Sequence, residues 1–505
     1  MAVVNSQVEA ARSSFGIEEC DITDTQERLG RGELTSEALV KMYLARIAEI
    51  NDKVKAVACL NPEAVALAVE RDTQRKLGNL LGDLHGIPIL IKDTFATTDK
   101  MDTTAGSFAL VGAKYRTSST VVQKLEAAGA IILGKTNMSE WGYSRSDSCS
   151  DGWSPLHGQV LGASHEQQNP EGPSSGSAVA ARPSLASATI GGETCGSILS
   201  PAGRNGAVGL KATVGLVSRA GVIPVSPDRD TVGPMTKWVK DAAKILKVIA
   251  GKDKLDHATE DIPFDEIPDY VGACRRDGCQ GLRIALPKSV VEALRLDAEL
   301  YQAFDSALET LRSLGAVIVD NDDFDTWKID GHQRDEVFNA ISLREGFEKF
   351  FSELDHNPHG IDNVGDLIEF LKNTTQEEYD RFGAKWFEDA RDISDSSESE
   401  MYLASKKRLD YLGLDPVRLL ARTGCDLLVA VPTVDLPLDL GRLPGIAVPL
   451  GYYSEATPVT KGEDGLVTCG PNMPLSILFA GRRFDEEKLI ACAYAFEQAT
   501  RVADR

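Results

Sequence analysis

Leu84-His85-Gly86-Ile87-Pro88-Ile89-Leu90-Ile91-Lys92-Asp93 is a short apolar run that ends in charge. Its β-branched residues predict a buried strand whose C-terminal end reaches a surface or a cleft. Downstream, 119–130 reads as a helix ended by Gly129, and Ala130-Ile131-Ile132-Leu133-Gly134 as the next strand. Upstream, TSEALVKMYLARIAEI at 35–50 places Leu39, Met42, Tyr43, Ile47 and Ile50 on one helical face, with Ser36 as the N-cap. Residues 61–76 read as a further helix opened by Asn61-Pro62. Strands alternating with helices predict a layered α/β fold.

The chain has 505 residues, enough for a sizeable core. Its formal net charge is −22. Such a surface repels phosphate backbones, so nucleic acid is not expected as a partner. No apolar run reaches about 18 residues, so no membrane-spanning helix is expected. The first sixteen residues lack a basic head followed by an apolar core, and Ala503-Asp504-Arg505 matches no address signal. Nine cysteines stand at irregular spacing; Cys274 and Cys279 lack the further His or Cys of a zinc site. The expectation is a cytoplasmic protein with reduced thiols.

The stretch 142–176 is rich in Ser, Gly, Asp and Pro and holds His157 and His165. A loop this long in a compact domain is functional or disordered. Two Gly/Ser turns follow, Gly172-Pro173-Ser174-Ser175-Gly176-Ser177 and Gly191-Gly192-Glu193-Thr194-Cys195-Gly196-Ser197. From about 255 to 425, charged helical segments dominate (292–314, 344–354, 377–391 and 399–412), as in a helical insertion or cap. Strand-like runs return at 426–450, and 485–502 reads as a terminal helix.

Lys92 closes an apolar strand. A buried ammonium shifts its pKa down, which suits a base; the plain alternative is a strand-end lysine that reaches water. Ser174, Ser175 and Ser177 fit turn and capping chemistry equally well. Ser197 stands in a turn whose glycines let backbone N–H groups converge, as an oxyanion hole requires; a plain turn has the same composition. His85 lies close in sequence to Lys92, so counting leaves a Ser-His-Asp triad open. No Gly-x-Ser-x-Gly elbow is present, however, which favours a Ser-Lys arrangement.

Together these motifs resemble the amidase signature family. The resemblance covers 34–47, 84–93, AAGAIILGKTNMSEWG at 127–142, GPSSGSAVA at 172–180 and GGETCGSI at 191–198. It continues over 205–235 and returns at PGIAVPLG (444–451) and 478–501, closest to the peptide-amidase-like branch. The region 255–425 carries little of it.

The resemblance implies one amidase-signature domain over 1–505, an α/β/α sandwich around a mixed twisted sheet, with a helical insertion at about 255–425. It implies amide hydrolysis by a Ser-Ser-Lys triad without metal or cofactor. Lys92 becomes the base and Ser197 the nucleophile, with Thr194, Cys195 and Gly196 supplying the oxyanion-hole backbone. Ser175, Met138, His157 and His165 are the candidates for substrate contact. The substrate pocket is expected from the 142–170 loop and the insertion. The partner is a small-molecule or peptide substrate, and by analogy a second copy of the chain.

One position departs from the family at the centre of the triad. The family's bridging serine, held in a cis peptide, aligns with Pro173. A cis bond costs about 2.5–4 kcal/mol before serine and only about 0.5–1 kcal/mol before proline. Proline thus suits the backbone while deleting a hydroxyl from a relay typically worth ~10²–10⁴-fold in rate. Ser174 or a water molecule would have to complete the path. Cys195 replaces the branch's Asp, and Leu161-Gly162-Ala163-Ser164 replaces its Arg-Asn-Pro-aromatic stretch. Three activities remain open: an amidase with an adapted triad; a cyclase, lyase or acyl transferase of small-molecule metabolism; and a catalytically impaired relative, a binding protein or the amidase subunit of a tRNA-dependent transamidosome.

Overall fold

The computed structural model describes residues 16–295, 297–328, 335–433 and 436–502. The terminal segments read above for targeting signals, 1–15 and 503–505, lie outside the described residues.

Eleven strands form one sheet. In chain order they are β1 (Val57–Leu60), β2 (Pro88–Lys92), β3 (Ile131–Thr136), β4 (Ala188–Glu193), β5 (Val208–Lys211), β6 (Thr231–Thr236), β7 (Arg283–Ala285), β8 (Val317–Val319), β9 (Leu427–Ala430), β10 (Gly445–Tyr452) and β11 (Pro474–Ala480). Their spatial order is β1-β3-β2-β4-β6-β5-β10-β11-β9-β7-β8. The sheet is mixed: β2 runs parallel to β3 and β4, whereas β4 is antiparallel to β6. With neighbours on both edges, every residue of β2 is buried. A strand covered on both faces reads as a continuous apolar run, which is why 84–93 was legible. The α/β class expected from the alternation is therefore the observed one.

Helix α1 (Ser36–Val54) buries Leu39, Met42, Tyr43 and Ile47. Its N-cap is Thr35, not Ser36. Thr35 keeps extended backbone and its hydroxyl accepts the Ala38 N–H, while Ser36 is already helical. The next helix begins at Ala64 because the Asn61 side chain first accepts the Glu63 N–H in a turn. Helix α2 (Thr120–Ala127) precedes β3 as expected. Helices α3 (Ser175–Ala181) and α4 (Leu199–Asn205) pack on each other and against the middle of the sheet.

The stretch 255–425 supplies both sheet strands and outer helices. Strands β7 and β8 extend the sheet beyond β9. Helices α5 (Glu336–Ser352), α6 (Val364–Asn373) and α7 (Lys385–Asp392) enclose a second apolar core with Phe347, Leu367 and Phe387, which also takes in Met138 and Trp141. The segment 377–391 is not one helix: it breaks at Gly383, whose φ of 62° ends the short turn Tyr379–Phe382. Among the described residues, no helix is long and apolar enough to cross a membrane.

Candidate active site

Strand β2 delivers Lys92 to the end of the sheet, almost fully buried. Its ammonium nitrogen Nζ donates to Ser174 Oγ at 3.1 Å and to the Gly192 carbonyl at 3.4 Å. Burial pushes its pKa down to about 7, against the opposing pull of Asp230 and Glu193. A lysine so placed is about half neutral at neutral pH and can take a proton.

The first Gly/Ser turn holds Ser174 beside it. The Gly172–Pro173 bond is cis. A side chain at Gly172 would meet the Ser139 hydroxyl at 2.5 Å, so Ser139 would have to shift to admit one. Ser174 Oγ donates to the Gly192 carbonyl at 2.9 Å and accepts the Gly192 N–H at 3.3 Å. It therefore fastens Lys92 to β4. Pro173, which carries no hydroxyl, lines the same cavity as Lys92 and Ser197.

The second turn leads from β4 into α4. The Glu193 carboxylate accepts the N–H groups of Ile198 at 2.8 Å and Leu199 at 3.0 Å. Gly196 lies at φ 74°, in the left-handed region that a glycine tolerates. The Ser174 N–H donates to the Ser197 carbonyl at 3.3 Å, joining the two turns. Thr194 donates its hydroxyl to Asp230 at 2.6 Å. Asp230 also accepts the N–H groups of Val225 and Ser226. Burial pushes the Asp230 carboxyl up and these hydrogen bonds oppose it. Among the described residues, the Ser197 hydroxyl has no hydrogen-bond partner.

Lys92, Pro173, Thr194 and Ser197 line one cavity of about 540 Å³. That volume lies within the range of small-molecule sites. Its walls are mostly apolar, including Trp141, Ile223, Val225 and Phe350. Leu255, Gly346, Phe350 and Leu354 come from the 255–425 region, but from 142–170 only Gly142 reaches it. Of the two segments expected to build the pocket, the 142–170 loop therefore contributes little of this cavity's lining.

Four candidates for substrate contact do not line the cavity. Ser175 Oγ donates to the Glu171 carbonyl at 2.5 Å within its own turn. Met138 is buried in the second core. His157 Nε2 lies 3.7 Å from an Asp93 carboxylate oxygen, and His165 Nδ1 lies 2.8 Å from the Glu166 carbonyl. Of the oxyanion-turn residues, Cys195 is exposed and Gly196 half-buried, and neither lines the cavity. Asp230 and Arg219, which do line it, were not singled out from sequence. The available signal was Asp228-Arg229-Asp230-Thr231 inside the stretch 205–235. Among the described residues, no group of three or more His, Cys, Asp or Glu could hold a metal.

The fold and the sequence are similar to those of several other proteins. The peptide amidase of Stenotrophomonas maltophilia superposes with a TM-score of 0.86 at 35% identity, over 96% of this chain and 97% of that one. A protein of Arthroderma benhamiae named as an amidase is 42% identical over 476 residues, 93% of this chain and 80% of that one. A glutamyl-tRNA(Gln) amidotransferase subunit of Geobacter metallireducens is 30% identical, over 95% of this chain and 97% of that one. The amidase family model matches residues 38–490. With the α/β sheet, the buried lysine and the paired Gly/Ser turns, this match makes the chain a member of the amidase family, an amidase-like hydrolase of C–N bonds.

Proposed function

We propose that the protein hydrolyses the amide of a small molecule or peptide, with Ser197 as nucleophile and Lys92 as base. The observation that carries this is the shared cavity: Lys92 and Ser197 line the same space, and burial keeps Lys92 near half-neutral at neutral pH. Ser197 Oγ attacks the amide carbonyl carbon and its proton passes to Lys92. The backbone at Thr194, which lines the cavity with Ser197, receives the developing oxyanion. Lys92 then returns the proton to the departing amine nitrogen as the C–N bond breaks. A water molecule attacks the resulting ester, releasing the acid and restoring Ser197.

Pro173 removes the family's bridging hydroxyl from this path. Ser174 keeps Lys92 in place through its 3.1 Å hydrogen bond, and a water molecule from the cavity carries the proton between Ser197 and Lys92. A peptidic amide is favoured by the likeness to the peptide amidase. The cytosol is favoured by the unbridged thiols of the described residues, which agree with a reducing compartment.

Pro173 itself favours a second reading. Without the relay serine, hydrolysis is suppressed, and Lys92 could serve as acid–base group in a cyclase, lyase or acyl transferase. A transamidosome role, suggested by the amidotransferase relative, is disfavoured by the net charge of −22. Labelling with a fluorophosphonate, read by intact mass and peptide mapping, separates the readings. An adduct at Ser197 that is lost in Ser197→Ala and Lys92→Ala supports the hydrolase. A folded wild-type protein that forms no adduct overturns it.

A further inference from the structure

We propose that the cavity selects amides with an apolar body and an anionic group, and that Arg116 binds that anion. The proposal rests on reading this cavity as the substrate site.

Consider the charged groups that line it. The Arg219 guanidinium is held by Asp256, at 2.7 and 2.8 Å. Lys349 lies 3.9 Å from Glu353, one helical turn on. The Glu193 and Asp230 carboxylates are occupied by the N–H groups and the Thr194 hydroxyl described above. Lys92 is tied to Ser174 and Gly192. One cation remains. Arg116 lines the cavity, is exposed, and makes no hydrogen bond or ion pair among the described residues. On a chain with 76 acidic residues against 54 basic ones, a guanidinium without a carboxylate is notable at the rim of a cavity.

The segment that carries Arg116 is fixed on both sides. Before it, the Tyr115 hydroxyl donates to the Thr103 carbonyl at 2.8 Å, and its backbone pairs with Leu354. After it, the Ser118 hydroxyl accepts the Thr98 N–H at 3.1 Å. The Tyr115 ring meets Phe350 at a centroid distance of 6.2 Å, and both residues line the same cavity as Arg116. An aryl or aliphatic body can lie along these rings while a carboxylate takes the planar, two-pronged donor set of arginine. The specificity is chemical: a neutral end group forgoes the charge-assisted hydrogen bonds, and a cationic one is repelled.

Isothermal titration with three amides tests this: 3-phenylpropanamide and its para-carboxymethyl and para-aminomethyl derivatives. The protein is the Ser197→Ala chain, so that no turnover intervenes. The carboxylate is expected to bind about tenfold more tightly than the neutral parent. Adding Arg116→Gln is expected to reduce that advantage to about twofold or less and leave the parent's affinity unchanged. Equal affinities for carboxylate and parent, tighter binding of the cation, or an advantage that survives Arg116→Gln would each overturn the proposal. Fluorophosphonate labelling of Ser197 tests the hydrolase separately, since these titrations read binding alone.

Discussion

The Lys92 ammonium nitrogen lies 3.1 Å from the Ser174 hydroxyl, one residue beyond the cis Gly172–Pro173 bond. Ser197, in the facing turn, has no such contact; the turns are joined instead through the Ser174 N–H and the Ser197 carbonyl. The proposed base is thus fastened to the wall of the site, and the proposed nucleophile faces the cavity. Pro173 lines the same cavity as both.

Pro173→Ser is therefore expected to raise hydrolysis of simple amides by about 10²-fold, within the usual worth of a positioned proton-transfer group. Steady-state ammonia release from a panel of primary amides measures it. A folded variant with unchanged activity would show that proton relay does not limit the rate.

With Lys92 as base, the rate of Ser197 acylation should rise with pH through about 7 and then level off, because only the neutral amine accepts a proton. Asp230 favours the charged form of Lys92, so Asp230→Asn should move this limb to lower pH. Second-order labelling rates from pH 5 to 9 test both. An unshifted limb in the Asn variant would exclude Asp230 as an influence on the base.

The same depression makes a stability statement. The folded pKa is about 7 and the unfolded value about 10.5, so between these values the unfolded chain binds more protons and stability rises with pH. Below pH 7 the full cost of a buried ammonium is present. Lys92→Met should therefore raise Tm more at pH 6 than at pH 9.5. Thermal unfolding at the two pH values decides it, and equal shifts would contradict a depressed pKa.

Ser174→Ala removes the acceptor of the Gly192 N–H and one of the two acceptors of Lys92, which keeps the Gly192 carbonyl. A loss of about 1–3 kcal/mol is expected from unsatisfied buried groups. Labelling of Ser197 should slow by about tenfold or more as Lys92 loses its anchor. Urea unfolding together with labelling kinetics checks the pair. Unchanged stability with slowed labelling would leave Ser174 a purely chemical role.

Away from the turns, Arg145 lies fully buried between Glu140 and Glu377, 2.5 Å from one carboxylate and 3.5 Å from the other. Both carboxylates lose their countercharge in Arg145→Met, and about 3–5 kcal/mol should be lost. Glu140 precedes Trp141 in the cavity wall, and Trp141 meets Phe347 of α5 at 5.4 Å. Denaturant unfolding measures the loss. A variant as stable as wild type would show that the two carboxyls do not need the guanidinium.

Some elements were legible in the chain because their signals are local. Strand β2 announced itself as an apolar run, and α1 by the spacing of Leu39, Met42, Tyr43 and Ile47. The three-residue strands β7 and β8 gave no such signal; at that length neither periodicity nor composition tells strand from loop, and only pairing beside β9 makes them strands. The break at Gly383 was hidden inside a charged stretch with helical composition. His157 and His165 drew notice as rare residue types in a Gly/Ser-rich loop, yet rarity carries no direction, and neither lines the cavity.

The sequence by itself determined the α/β alternation, the family, the lysine at the end of a buried strand, the two Gly/Ser turns and the proline at 173. These rest on backbone chemistry and periodicity within a few residues. Tertiary structure alone decided that Ser174 holds Lys92, that Asp230 reaches Thr194 across 36 residues, and that Arg116 is the cavity cation without a partner among the described residues. Such contacts depend on which distant segments share a sheet edge, and the lowered pKa of Lys92 on how much water they exclude. Neither quantity is written in any short stretch of the chain.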